Sequence, residues 1–219
     1  MIGVYVTVPV ACFRKGLARE YLETEPLPPP STCYGFLLSL VGETDRCRHI
    51  GCRIAPVLIG RPEKSTILRT VWRTKSLTQG KGDAKRPQYM GDGNNRTPAQ
   101  QELLTGAQLV LWVDSSDERE SAPYLEQRVE DALTRPELIE RFGGLSLGES
   151  THLVDEAKLF LGSAEETGAI FVCSERGRLT LPVWVDHVGS KGTRYVTGDL
   201  RTVSLTSPDR RQLPQIEPP

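Results

Sequence analysis

The chain lacks an excess of charge. It has 27 basic and 28 acidic side chains, a formal net charge of -1 over 219 residues. A free-standing nucleic-acid binder is usually basic overall, because neutralising phosphates releases counterions. Taken as a bulk number, the charge argues against that class. No apolar run approaches the roughly 20 residues that cross a bilayer, and Met1–Val6 is a short apolar opening without a basic leader. No membrane partner is therefore expected. Five cysteines, Cys12, Cys33, Cys47, Cys52 and Cys173, form an odd count at irregular spacings. They read as free thiols in a reducing, cytoplasmic setting. Phosphate-loop, nucleophile-elbow, zincin and paired-cysteine finger motifs are missing too.

What is present is an ordinary globular composition, 38% hydrophobic and 25% charged, long enough to bury a core without staples. Ile2–Val10 reads as a strand. Pro26–Pro30 cannot be helix or central strand, and it leads into Ser31 and Thr32 as candidate caps of a short buried helix closed by Gly42. Residues 52–60 form a second strand candidate, and 66–75 alternate apolar with polar or basic side chains. Residues 79–98 look like loop, 103–114 return as a strand, and together these suggest a long hairpin. Apolar spacing over 121–134 predicts a second helix, and short strands follow. The order, with the hairpin set aside, is βαββαβ. The expectation is one α+β domain over 1–219, ferredoxin-like in the manner of RNA-recognition domains, with an inserted hairpin over 66–114, extra C-terminal strands and a frayed tail at 214–219.

The near-zero total hides strong polarity. Residues 69–96 hold seven basic against two acidic side chains, net +5, whereas 114–140 hold three against nine, net -6. Such asymmetry is informative about partners. Arg69, Arg73 and Lys75 would share one strand face, an arrangement that favours an anion laid against it; a solvated basic hairpin is the alternative. Lys81, Arg86 and Arg96 extend the basic stretch.

Three constellations could carry chemistry. Cys47, His49 and Cys52 lie within six residues, but a structural zinc site needs four ligands, so a turn with ordinary thiols competes and no metal is expected. His49, His152 and His187 are candidates for a metal-independent ribonuclease, which needs an acid and a base beside the scissile 2′-hydroxyl. Nothing in the sequence brings them together, so no catalytic residue and no cofactor is expected. Gly143–Gly148, with Gly144 and Gly148, is either a plain turn or a backbone phosphate cradle.

The stretch Ala11-Cys-Phe-Arg14, with Pro28-Pro-Pro-Ser-Thr-Cys-Tyr-Gly-Phe-Leu-Leu38 after it, resembles the N-terminal signature of the Cas five family, and Leu145–Ser150 resembles the glycine-rich turn of the wider RAMP superfamily. The overall texture is closest to the variants called Myxococcus-type or I-B. The resemblance implies a non-catalytic subunit of a type I CRISPR surveillance complex. Such a subunit caps the 5′ repeat-derived handle of the guide RNA and folds a thumb hairpin over it. It contacts the Cas seven backbone subunit and the Cas eight large subunit, and meets target DNA only through the complex, where base pairing reads sequence. One branch of the family instead cleaves precursor RNA itself. The residues expected to touch RNA are Phe13, Arg14, Lys15, Arg19, Ser31, Thr32, Tyr34, Arg69, Arg73, Lys75, Lys81, Arg86, Arg96, Gly144 and Gly148.

Overall fold

The computed structural model describes residues 1–16, 21–72, 96–188 and 191–219. Among them, strands β1 (Ile2–Ala11), β2 (Tyr21–Leu22), β3 (Arg53–Ile59), β4 (Glu63–Trp72), β5 (Arg96–Asp114), β6 (Glu156–Phe160), β7 (Ser163–Cys173), β8 (Leu179–Trp184) and β9 (Arg194–Leu205) join one sheet. The helices are α1 (Pro30–Leu40) and α2 (Leu125–Thr134). The fold is therefore α+β with a mostly antiparallel sheet. The main path of the sheet runs β6-β1-β5-β3-β7-β9-β8; β2 and β4 pair with β5 beside it. No helix among the described residues is long and apolar enough to cross a membrane.

Period-two patterning sets the faces of the sheet. Val4, Val6 and Val8 of β1 point to one side, where Leu109, Leu111 and Val113 of β5 meet them beneath Leu37 and Leu40 of α1 and Val129 of α2. The alternate set, Ala55, Val57, Val110, Trp112, Ile170 and Val172, forms a second core on the other side. Helix α1 is apolar nearly all round, with Cys33, Tyr34, Phe36, Leu37, Leu38 and Leu40 buried, which is the pattern of a helix enclosed by neighbours.

Strand β5 is 19 residues long and serves two structures. Its second half is the centre of the sheet, hydrogen-bonded to β1 on one side and β3 on the other. Its first half pairs with β4 from Trp72↔Arg96 to Glu63↔Thr105, forming a hairpin that extends the sheet. Pro9, which has no N–H to give, drops out of the β1 ladder between Val8↔Ala107 and Val10↔Thr105. It lies level with Gly106, which takes the left-handed φ of +69°.

Several sequence expectations need correction. The hairpin arms end at Thr105 on the β5 side, since Ala107–Asp114 is core sheet rather than part of an insertion, and Arg96–Pro98 is strand, not loop. Ser31 and Thr32 do not cap α1. The helix begins at Pro30 with Pro29 in the capping position and no side-chain cap, because proline at the first helical position loses no hydrogen bond. Helix α2 starts at Leu125, four residues later than expected. The tail at 214–219 is not frayed. Ile54 N donates to Pro214 O at 3.0 Å, Ile216 N to Cys52 O at 2.8 Å and Gly51 N to Ile216 O at 2.9 Å. Leu213 and Ile216 are buried at 1% and 0% exposure, each contributing roughly 1.5–3 kcal/mol.

Candidate nucleic-acid interface

The first part of the site grows from the end of β1. Phe13 N donates to Thr24 Oγ1 at 2.9 Å. Glu25 N donates to Phe13 O at 2.7 Å and Lys15 N to Glu23 O at 3.0 Å. Phe13–Lys15 is thus zipped to Glu23–Glu25, with Arg14 opposite Thr24. Glu102 of β5 clasps this pair to the hairpin: it accepts from Tyr21 Oη at 2.8 Å and Thr24 N at 3.0 Å, and Lys64 Nζ lies 2.6 Å away. Burial pushes its carboxyl up, but Lys64, the Thr24 N–H and the Tyr21 hydroxyl together hold it below the usual carboxylate range.

The second part is the glycine-rich turn. Leu147 N donates to His152 O at 3.0 Å, and Val154 N to Leu145 O at 2.9 Å, closing the turn on itself. Gly148 has φ +104°, and a Cβ there would lie 2.8 Å from Cys12 O. Only glycine lets the turn sit this close to the end of β1. His152 completes the joint. Its Nδ1 accepts from Cys12 N at 3.1 Å and Glu149 N at 3.3 Å, so the ring proton resides on Nε2. Burial lowers its pKa, with Glu149 opposing and Arg69 assisting.

The hairpin joins here as well. Arg69 Nη1 donates to Gln101 Oε1 at 2.5 Å and to Glu149 Oε2 at 2.9 Å, while Gln101 Nε2 donates to Glu149 Oε1 at 3.0 Å. The arm is thereby tied to the turn, with the Arg69 side chain 40% exposed.

Beside the start of α1 lies a cavity of about 330 Å³, lined by Ser31, Thr32, Gly35, Arg46, Trp184 and His187 among others. The Arg46 guanidinium stacks 4.0 Å above the Trp184 ring and donates to Val185 O at 2.6 Å, and Tyr34 Oη donates to Arg46 O at 2.8 Å. Among the described residues, Ser31 Oγ is buried without a hydrogen-bond partner. A planar cation on an indole is a surface on which a nucleobase can stack.

No family model matches the chain. A protein of Myxococcus xanthus (strain DK1622) named CRISPR-associated protein Cas5 is 50% identical over 217 residues, covering 99% of this chain and 97% of the relative. The chain belongs to the Cas five family. Its likeness to the Myxococcus protein meets the expectation drawn from the sequence texture. Among solved structures, a chain titled CRISPR RNA-guided surveillance complex superimposes with a TM-score of 0.59 over 93% of this chain and 90% of its own, at 14% identity, a likeness of fold.

Within this Cas five protein the expected RNA-contacting residues fare unevenly. Arg14 is exposed, Lys15 reaches Glu23 at 3.6 Å, Gly148 and Arg69 meet at the joint through Cys12, Glu149 and Gln101, and Ser31 and Thr32 line the cavity. Phe13, at 2% exposure, and Tyr34, at 4%, are core residues, and Tyr34 also lines the cavity beside α1. Gly144 packs near Leu153, and Arg96 is exposed at the outer end of β5. Arg19, Arg73, Lys75, Lys81 and Arg86 fall outside the described residues. Three residues were missed: Arg46, Trp184 and Tyr195. Tyr195 is 51% exposed, and a Cβ added at Gly16 would lie 3.4 Å from its hydroxyl. No local motif marks them, because the loop and strands that bring them here are far apart in sequence.

The histidines do not form a pair. His49 is fully buried, with Nδ1 2.8 Å from Glu118 Oε2 and Nε2 3.0 Å from Arg128 Nη1, and shares no partner with His152. Cys47 is exposed, whereas Cys52 is buried with its thiol pushed well above the usual range. Among the described residues, no three His, Cys, Asp or Glu side chains converge as metal ligands.

Proposed function

We propose that this protein is a non-catalytic subunit of a type I CRISPR RNA-guided surveillance complex and holds the 5′ repeat-derived handle of the guide RNA where the end of β1, the glycine-rich turn, the hairpin base and the start of α1 meet. The observation that carries the reading is full-length identity of 50% to a Cas5 protein. The geometry supports the placement: Arg14 and Arg69 supply cations, the Arg46 guanidinium stacked on Trp184 supplies a planar cation, and Tyr195 supplies an exposed aromatic side chain. Single-stranded RNA is held by these two kinds of contact.

The unit β1-α1-β3-β5-α2-β6 is, on this reading, a ferredoxin-like βαββαβ core, supported by the order β6-β1-β5-β3 and by both helices packing on one face. The β4–β5 hairpin is the thumb. The expected protein partners are the Cas seven backbone and Cas eight large subunits, with target DNA met through the complex.

The non-catalytic reading draws on two of the three histidines, while the exposed His187 lines the cavity beside α1. His152 Nδ1 already accepts two backbone N–H groups, and His49 is sealed between Glu118 and Arg128. The test is RNA binding and cleavage by the purified protein. Handle RNA should bind with salt-sensitive affinity and stay intact without metal, and Arg14→Ala should cost about 1–3 kcal/mol in binding. Specific cleavage abolished by His152→Ala would place the protein in the processing branch instead. Salt-insensitive or absent binding would overturn the RNA reading itself.

A further inference from the structure

Glu217 lies between two guanidiniums. Its Oε1 is 2.5 Å from Nη2 of Arg119, and its Oε2 is 2.7 Å from Nη1 of Arg194. Arg194 Nη1 also donates to Pro218 O at 3.2 Å. The two cations come from distant parts of the chain, one from the connection between β5 and α2, the other from the first residue of β9. Two like charges brought to one carboxylate repel each other, so the notch between them favours an anion. Its walls are built by other contacts. Arg119 N donates to Ile50 O at 3.0 Å, and Arg194 is held in the β8–β9 ladder opposite Trp184.

The carboxylate is placed to be exchanged. The chain is pinned as far as Ile216, which is 0% exposed, and Gln215 Nε2 donates to Gly51 O at 3.1 Å. Beyond that point, among the described residues, the polar contacts of Glu217 and Pro218 are with these two arginines. The side chains of Arg119, Arg194 and Glu217 are 57%, 44% and 29% exposed. Water screens ion pairs this open, and they contribute little. The other carboxylates of the adjoining loops are engaged elsewhere: Glu120 with Arg48, Glu118 with His49, and Asp117 with Arg53 and Arg210. The Asp186 carboxylate accepts from Val188 N and Gly192 N in its own turn.

What borders the notch indicates the ligand. Residues opposite each other in an antiparallel ladder share a face, so Arg194 lies on the same side as Trp184, whose ring carries the Arg46 guanidinium. A nucleotide stacked on that planar cation brings its phosphates to the neighbourhood of Arg194. Guanidiniums match phosphate oxygens in pairs, as they match a carboxylate.

We propose that Arg119 and Arg194 form a phosphate site and that Glu217 fills it while no ligand is bound. On the RNA-binding reading above, on which this rests, the phosphate belongs to the RNA backbone beside the Arg46–Trp184 stack. Binding then exchanges one anion for another. The apparent affinity is lowered by the fraction of molecules in which Glu217 holds the notch.

Glu217→Gln keeps the shape of the side chain and removes its charge. It is compared with wild type, with the Arg119→Ala/Arg194→Ala double variant and with the triple variant, all checked for wild-type thermal unfolding. At low salt Glu217→Gln should bind handle RNA about three- to tenfold tighter, and the triple variant should lose this gain. The double variant should bind more weakly, with a salt slope lower by roughly one unit. Unchanged or weaker RNA binding by Glu217→Gln would overturn the proposal and make Glu217 a clasp for its own segment. Inorganic phosphate supplies a second readout, since a ligand of the folded state raises its melting temperature. It should stabilise Glu217→Gln more than wild type or the triple variant. If no variant bound RNA, the proposed function would fail and the phosphate readout would decide the notch alone. Stabilisation confined to Glu217→Gln would uphold the site, and an equal response of all variants would overturn it.

Discussion

Two polar clusters in this molecule are built from nearly the same side chains. One joins His49, Glu118, Arg128 and Glu43; the other joins His152, Glu149, Arg69 and Gln101. In the first, His49 and Glu118 are fully buried, and Arg128 is spent on Glu43, His49 and the Val41 carbonyl. In the second, Arg69 and Glu149 are 40% and 25% exposed, and only Nη1 of the guanidinium is engaged among the described residues. The first cluster is a brace that locks the 44–51 loop to α2. The second fixes one edge of a guanidinium and leaves the other available. Composition does not separate a structural joint from a binding group; the number of donors left over does.

Three experiments break or sharpen this contrast. The largest effect is expected at the brace. Glu118→Ala strands two buried donors, His49 Nδ1–H and Leu125 N–H, at about 1–3 kcal/mol each. Chemical denaturation should show that loss, while RNA affinity measured well below the melting temperature stays as in wild type. A fall in affinity at full folding would merge the two clusters functionally. At the open cluster the pattern should invert. Arg69→Ala takes a donor from the buried Gln101 Oε1 and should cost about 1 kcal/mol in stability, less than at the brace, but should reduce the salt slope of RNA binding by roughly one unit; an unchanged slope would make Arg69 another brace. The smallest effect concerns pH. The folded-state pKa of His152 is lowered, so the unfolded chain binds the proton more readily. Stability from this group is complete above the unfolded value of about 6.5 and declines as pH falls below it toward the folded value. His152→Asn, which keeps an acceptor but does not titrate, should flatten this limb of the stability curve. Persistence of the limb in the variant would assign it to other groups.

Sequence reasoning reached what is locally encoded. The Val4-Val6-Val8 alternation and the proline run before α1 declare their elements at short range, and Arg69 sits on a strand with a wet face. It missed what depends on long-range packing. Phe13 and Tyr34 read as open planes because an aromatic in or near a loop gives no sign of which way it faces, yet both are core. Glu102 gave no signal, since a carboxylate on a strand looks solvated until Tyr21, Thr24 and Lys64 close on it. Trp184 and Arg46 are a stack only because α1 brings its following loop beside β8. The terminal proline-rich segment was read from composition as frayed, whereas Leu213 and Ile216 give it two apolar anchors on the sheet.

Strand β5 also makes the molecule a mechanical object. Its 19 residues span roughly 60 Å at 3.3 Å each, with the inner half clamped between β1 and β3 and the outer half held by β4, by β2 and by the ties of Glu102 and Arg69. The partner strand breaks at Gly60, with φ +65°, close to the level of Gly106, with φ +69°. A force applied to the outer arm is shared with those ties first, and what remains reaches that pair of glycines, where bending is cheapest, and then the central strand of the core.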